Sequence, residues 1–425
     1  MTDASESKGL LRSMRRADLT AVVINAVIGA GIFGLPSKIF ALDGPYSLLA
    51  FVVCAVCVFL IVLNFAEASS RFADTGGPYL FARESFGPLT GFLVGWLVWL
   101  ARLTAFSANC SLLPEYLGFF FPALAHGWPR AILVTLLIAA LTAINVRGVR
   151  IVADAGNTFA ALKLIPLILF VVAGFFFVDW HRFSGPAPAY GAFSQSVLLL
   201  SYAFTGFEIA VIPAGESRNP QRDLPFALLT GMTLVVALYI GIQTVCIGTL
   251  PGLASTGRPL ADAAARFFGN RGALLITAGI IFSLAGNLNV LILSGSRLIY
   301  AMAERRELPK LFASIHPRFR TPAPAILLTT AVMLALTLSG SFVYLVTLSV
   351  ISRMIAYLAT CGAVIVLRRR ERATFHLAGG LWIPVAGIAV IAWMLLSSTW
   401  REVAAVMIAT LAGLAAYSAT RRVRD

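Results

Sequence analysis

Apolar stretches of about 20 residues, the length a helix needs to cross the hydrocarbon core of a bilayer, recur along almost the whole chain. That recurrence constrains the fold more than any single motif. Twelve segments qualify: 18–40, 46–68, 88–113, 129–146, 154–178, 194–215, 224–249, 272–302, 323–340, 342–367, 381–398 and 401–419. Hydrophobic residues make up 59% of the 425 positions and charged residues 12%, a balance that a water-facing surface does not accommodate. The chain therefore reads as an all-helical polytopic membrane protein. The segments between the spans are too short to fold alone, so residues 1–425 form a single membrane domain whose chemistry lies inside the bilayer.

The charges orient the spans, because short loops rich in Lys and Arg stay in the cytoplasm. With the N-terminus inside, 22 of the 33 Lys and Arg residues fall on the inner side, 7 on the outer side, counting Lys38, Arg130 and Arg401 at the outer ends of their spans, and 4 deeper within spans. Both termini are then cytoplasmic, and the expected location is the cell (inner) membrane. The net charge of +14 is a topology signal and calls for no nucleic-acid partner. Residues 1–17 are polar and read as a cytoplasmic tail, since the apolar run that follows is too long for a removable signal peptide and carries no small-residue cleavage site. Cys54, Cys57, Cys110, Cys246 and Cys361 lie mostly in apolar runs, and His126, His181, His316 and His376 lie in connections. Neither a disulfide framework nor a metal site is expected, and no cofactor is called for. A membrane enzyme would need a nucleophile with a base, or clustered ligands, yet the spans hold no His. A channel would need a filter-like repeat, which is lacking.

Two spans carry helix breakers where unsatisfied backbone is most expensive. The first contains NAVIGAGIFGLPS, residues 25–37, with Gly29, Gly31, Gly34 and Pro36 within eight positions, although each interior glycine costs a helix roughly 1 kcal/mol relative to Ala. Close helix packing explains a lone small-residue pair; a bunched set suggests local unwinding. Unwound backbone survives in a membrane only where it lines a protein-enclosed cavity. The sixth span repeats the pattern in SYAFTGFEIAVIP, residues 201–213, with Gly206, the ionisable Glu208 and Pro213. Interrupted segments at corresponding places of two halves point to a transporter built from inverted repeats: residues 18–178 as the first repeat, 194–367 as the second, and 381–419 as two peripheral helices. Freed N–H groups at Gly29, Ala30 and Gly31 begin the outer half-helix of span 1, whose positive dipole end suits a carboxylate. Freed carbonyls at both breaks suit an ammonium group, so a zwitterionic α-amino acid fits between them.

GAGIF at 29–33, TGGPYLFARESFGPLTGFLVGW at 75–96, FTGFE at 204–208, ESRNPQRDLPFAL at 216–228 and SRLIYAMAERRELPKLF at 296–312 together resemble the amino acid-polyamine-organocation superfamily of permeases. The resemblance covers nearly the whole chain. It implies the leucine-transporter-like 5+5 inverted-repeat fold with discontinuous helices 1 and 6, and transport of amino acids by alternating access. It also implies that the substrate main chain meets Ile28, Gly29, Ala30 and Gly31 on one side and Ala203, Thr205 and Gly206 on the other. An aromatic gate falls on Tyr202 or Phe204, and Phe106 aligns with a pocket wall.

Ionisable groups inside the membrane are functional candidates. Lys163 lies about ten residues into span 5, hence roughly 15 Å deep. The resemblance places a lysine at this motif in sodium-independent relatives, where sodium-coupled members bind a cation. It either gains and loses a proton during transport or caps carbonyls of span 1, and both roles argue against sodium. Proton-coupled uptake and obligatory exchange of two amino acids both remain open, as does a polyamine or other organocation as cargo. Glu208 is the second candidate, for titration, for neutralising a cationic substrate, or for a structural ion pair. Arg102, one turn from Phe106, is not a feature of the resemblance; it either recognises an acidic substrate group or pairs with Glu208. Arg353 lies mid-span, and Ser283, Asn287 and Asn289 are possible polar contacts of span 8. The expected partners are the amino acid, protons and the lipid bilayer.

Overall fold

The computed structural model describes residues 15–72, 77–118, 120–147, 156–211, 217–370, 375, 377 and 380–422. Among them the chain forms fourteen α-helices: α1 Arg16–Val27, α2 Ala30–Asp43, α3 Ser47–Ser69, α4 Pro78–Phe86, α5 Pro88–Leu117, α6 Gly127–Arg147, α7 Gly156–Phe175, α8 Tyr190–Phe204, α9 Pro220–Thr249, α10 Pro259–Glu304, α11 Ala323–Ser339, α12 Phe342–Leu367, α13 Trp382–Leu396 and α14 Trp400–Arg422. Proline opens α4, α5, α9 and α10, where its missing N–H would have had no helical partner.

Among the described residues seven helical segments are long and apolar enough to cross a membrane, with Ala30–Ser69 taken as one; Lys163–Phe175, Ala323–Ser339 and Trp382–Leu396 are shorter apolar helices. Burial follows the logic of a protein surrounded by lipid. Ile165, Ile168 and Val172 of α7 and Met407, Ile408 and Leu411 of α14 are exposed, whereas Arg102, Lys163, Glu208 and Arg353 are all at most 4% exposed. In water those preferences would be reversed. Trp128, Trp180, Trp382 and Trp400 are exposed at or near helix ends, the position tryptophan favours at a membrane–water interface.

The core forms where α5 packs on α10, α11 and α12, α1 packs on α9, and α8 packs on α2 and α3. Two interruptions sit inside this core, near the expected positions. The first separates α1 from α2 at Ile28 and Gly29, both in extended conformations. The second ends α8 at Thr205, after which Gly206 (φ 115°) turns the chain into a 3₁₀ turn, Phe207–Ile209. Pro213 lies outside the described residues.

Unwinding is confined to fewer glycines than the sequence suggests, and α2 continues through Gly31, Gly34 and Pro36. Gly31 and Gly34 serve contact instead. A Cβ on Gly31 would lie 2.5 Å from Ala203 Cα, and one on Gly34 would lie 2.8 Å from the Phe342 ring. At the far end of α3, buried Glu67 binds Arg71 at 3.0 Å and Arg368 at 2.5 Å, tying α3 to the end of α12. Tyr79, Arg83 and Glu307 form a second cluster, with Arg83 Nη1 2.9 Å from Glu307.

Candidate functional site

The two breaks face one cavity of about 420 Å³, within the range of small-molecule sites, whose walls come from α1, α2, α5, α6, α7, α8, α10 and α12. From the breaks it extends along α1 past Asn25 to Val22 and reaches Leu141 and Ile144 near the end of α6.

Most carbonyls at the end of α1 have an identified partner. Lys163 Nζ donates to Asn25 O at 2.6 Å and to Ile28 O at 2.8 Å, and Tyr239 Oη donates to Val27 O at 3.2 Å. Ile28 N donates to Ile24 O at 3.0 Å. The Ala26 carbonyl packs directly on Gly206, where a Cβ would come within 2.4 Å of the oxygen. A cation at this terminus also complements the negative end of the helix dipole. Across the break, the first N–H groups of α2 have no intrahelical acceptor, and Gly29, Ala30 and Gly31 line the cavity.

The second break is organised around a carboxylate. Gly206 N donates to Glu208 Oε2 at 2.9 Å, and Tyr357 Oη donates to the same oxygen at 2.6 Å. Arg353 Nε lies 3.5 Å from Glu208 Oε1, and Arg353 Nη1 also donates to Thr205 Oγ1. Thr205 in turn donates to Tyr202 O at 2.8 Å. Glu208 therefore pairs with Arg353. Arg102 makes no ion pair among the described residues, and its Nε and Nη2 are buried without a hydrogen-bond partner.

The cavity brings together many of the sequence candidates: Gly29, Ala30, Gly31, Lys163, Tyr202, Thr205, Gly206, Ser283 and Asn287 all line it. Ile28 contributes through its carbonyl, Ala203 backs Gly31, and Glu208 stands behind Thr205 and Gly206. Of the two aromatic gate candidates, Tyr202 is on the wall. Phe204 packs away from it, 5.2 Å from the Tyr239 ring and 6.4 Å from Phe51. Phe106 is fully buried but not on the wall, because the face of α5 that meets the cavity runs through Ala105 and Asn109, one residue off its register.

Three polar wall residues received no role from the sequence. Asn25 stands on α1, and Arg353 reaches the wall from α12. Asn109 accepts from Tyr202 Oη at 2.8 Å and donates to Asn287 Oδ1 at 2.7 Å, linking α8, α5 and α10. The signal for Asn109 was its polarity in an apolar span, seven residues from Arg102 on the same helical face.

The profile of the amino acid permease family matches residues 16–417. The chain belongs to this family. The permease is a multi-pass membrane transporter and not an enzyme. It is 29% identical to the serine/threonine exchanger SteT of Bacillus subtilis, over 97% of this chain and 96% of the relative. It is 28% identical to the methylthioribose transporter of the same organism, over 92% and 90%. Mouse cationic amino acid transporter 4 is 29% identical over 87% of this chain and 61% of its own length.

Proposed function

We propose that the permease carries amino acids across the cell membrane by alternating access, without sodium, and that protons drive the uptake. The observation that carries this reading is the pair of helix breaks facing one cavity, with free amide donors at the start of α2 and Lys163 on the carbonyls that end α1. The substrate carboxylate sits at the N–H groups of Gly29, Ala30 and Gly31, and its ammonium sits toward the α8 break at Ala203, Thr205 and Gly206. Tyr202 closes over it, after breaking its bond to Asn109. Ser283 and Asn287 meet the rest of the substrate.

In this reading the chain crosses the membrane twelve times with both termini in the cytoplasm. Spans 1–5 and 6–10 form inverted repeats, and α13 and α14 are peripheral. Sodium is dispensable because the Lys163 ammonium already binds the carbonyls that a coupling cation would use. Loss of its proton would strip the charge from its bonds to Asn25 O and Ile28 O and so loosen α1, which gives proton coupling a structural route.

The similarity to a serine/threonine exchanger favours a second reading, obligatory exchange, in which Lys163 stays charged and only braces α1. Purified protein in liposomes separates the two. Uptake of radiolabelled amino acid into empty vesicles that grows with an inward proton gradient, and is lost in Lys163→Ala, is the expected result. Uptake confined to preloaded vesicles and indifferent to the gradient would replace symport by exchange.

A further inference from the structure

Deep in the protein, Arg353 pairs with the carboxylate of Glu208, and a second buried guanidinium, Arg102, makes no ion pair among the described residues. Arginine stays protonated under all ordinary conditions, and Arg102 and Arg353 are 2% and 4% exposed. Glu208 is committed to Arg353, Tyr357 and the Gly206 N–H. Arg102 stands on α5 next to Ala101, whose carbonyl accepts from Ser349 Oγ of α12 at 2.9 Å, one turn from Arg353; among the described residues the buried Nε and Nη2 of Arg102 have no acceptor, and Arg353 Nε has none within hydrogen-bond geometry. Among the described residues the other buried carboxylates have no part in this cluster: Glu67 binds Arg71 and Arg368, Asp223 binds Arg16, Glu307 binds Arg83, and Asp43 ends α2 beside Ser196. Among the described residues the region therefore carries at least one uncompensated positive charge, a costly arrangement unless an anion completes it.

The charge also has access to the substrate. Arg353 is on the cavity wall beside Thr205 and Gly206, and Arg102 is on the face of α5 that continues into the wall residues Ala105 and Asn109. Its i, i+3, i+7 spacing with them keeps it on that face. The Lys163 ammonium has its own two carbonyl acceptors and adds no negative charge.

We propose that Arg353, with Arg102 behind it, forms an anion subsite that receives a second carboxylate of the substrate, so that the permease prefers acidic amino acids over neutral and cationic ones. Arg353 is the contact residue; Arg102 is a positioning residue that supplies the excess charge. The inference rests on the amino acid reading above and narrows it to one substrate class.

The test is thermal stabilisation of the purified permease, together with uptake into liposomes. The probes are L-glutamate, L-aspartate, L-serine, L-leucine, L-lysine and the amine-free dicarboxylates glutarate and succinate. Glutamate or aspartate should bind at least about tenfold more tightly than serine or leucine, the scale expected from one extra charge pair in a partly desolvated site. In Arg102→Met that ratio should collapse toward one, and in Arg102→Lys, which keeps the charge, most of it should remain. Serine or leucine binding as well as glutamate in the wild type would overturn the subsite while leaving amino acid transport intact. Glutarate or succinate taken up with no amino acid would overturn the amino acid reading while leaving the anion subsite in place. An Arg102→Met variant that weakens serine and glutamate equally would reduce Arg102 to a structural residue and overturn its assignment.

Discussion

The two helix breaks look alike in sequence and are held open by opposite charges. At the first, the cationic Lys163 satisfies carbonyls at the C-terminal end of α1. At the second, the anionic Glu208 satisfies the N–H of Gly206 and is itself held by Tyr357 and Arg353. The first anchor comes from another helix and leaves the amides of α2 free; the second comes from two residues downstream and is locked into α12. A break whose anchor sits on a separate element can be released by moving that element. One whose anchor is local and ion-paired keeps its shape. The α1–α2 break is thus suited to opening, and the α8 break to keeping its internal shape as it moves.

Removing the local anchor should do the most damage. Glu208→Ala leaves Arg353 as a second buried guanidinium without a counter-charge, a change that costs about 3–5 kcal/mol; thermal melting in detergent should show a large loss, and a near-normal melt would mean that the α8 break does not depend on its carboxylate. Gly206→Ala comes next. It forces an L-residue to φ 115° and drives a Cβ to 2.4 Å from Ala26 O; strain of about 1–3 kcal/mol should abolish uptake even where protein is still recovered, and full uptake would show that the two breaks do not need to touch.

Lys163→Ala should cost less stability, about 1–3 kcal/mol for orphaned carbonyls, while raising the protease sensitivity or hydrogen exchange of α1 selectively. An equal rise across α8 would erase the contrast between the anchors. Tyr239→Phe removes only the donor to Val27 O and should shift stability by roughly 0.6 kcal/mol, the average for a membrane hydrogen bond. A shift comparable to that of Lys163→Ala would make Tyr239 a joint anchor of the first break.

Both breaks could be read from glycine in apolar runs, and the burial of Lys163 could be expected from its place inside an apolar run. What Lys163 touches could not, because hydrogen bonds to Asn25 and Ile28 join segments far apart in the chain. The Glu208–Arg353 pair was hidden for the same reason: Arg102 and Arg353 are equally buried cations by sequence, and only packing decides which reaches the carboxylate. Periodicity also fails to rank Tyr202, Phe204 and Phe106, since an aromatic residue on a buried helix is apolar whether it meets a cavity or another ring. Gly31 and Gly34 were misleading for a related reason: a glycine that admits a neighbour's backbone is indistinguishable in one sequence from a glycine that ends a helix.

The contact of Gly31 with Ala203 brings the main chains of α2 and α8 together with nothing larger than the Ala203 methyl beside them. With no compliant layer to absorb displacement, these two half-helices behave as one lever across the center of the molecule. A ligand that pulls on the amide end of α2 also shifts α8, so the two ends of a bound substrate are sensed by a single moving part. A bulky residue at position 31 would pry that lever apart, so that the site responds to only one end of its ligand at a time.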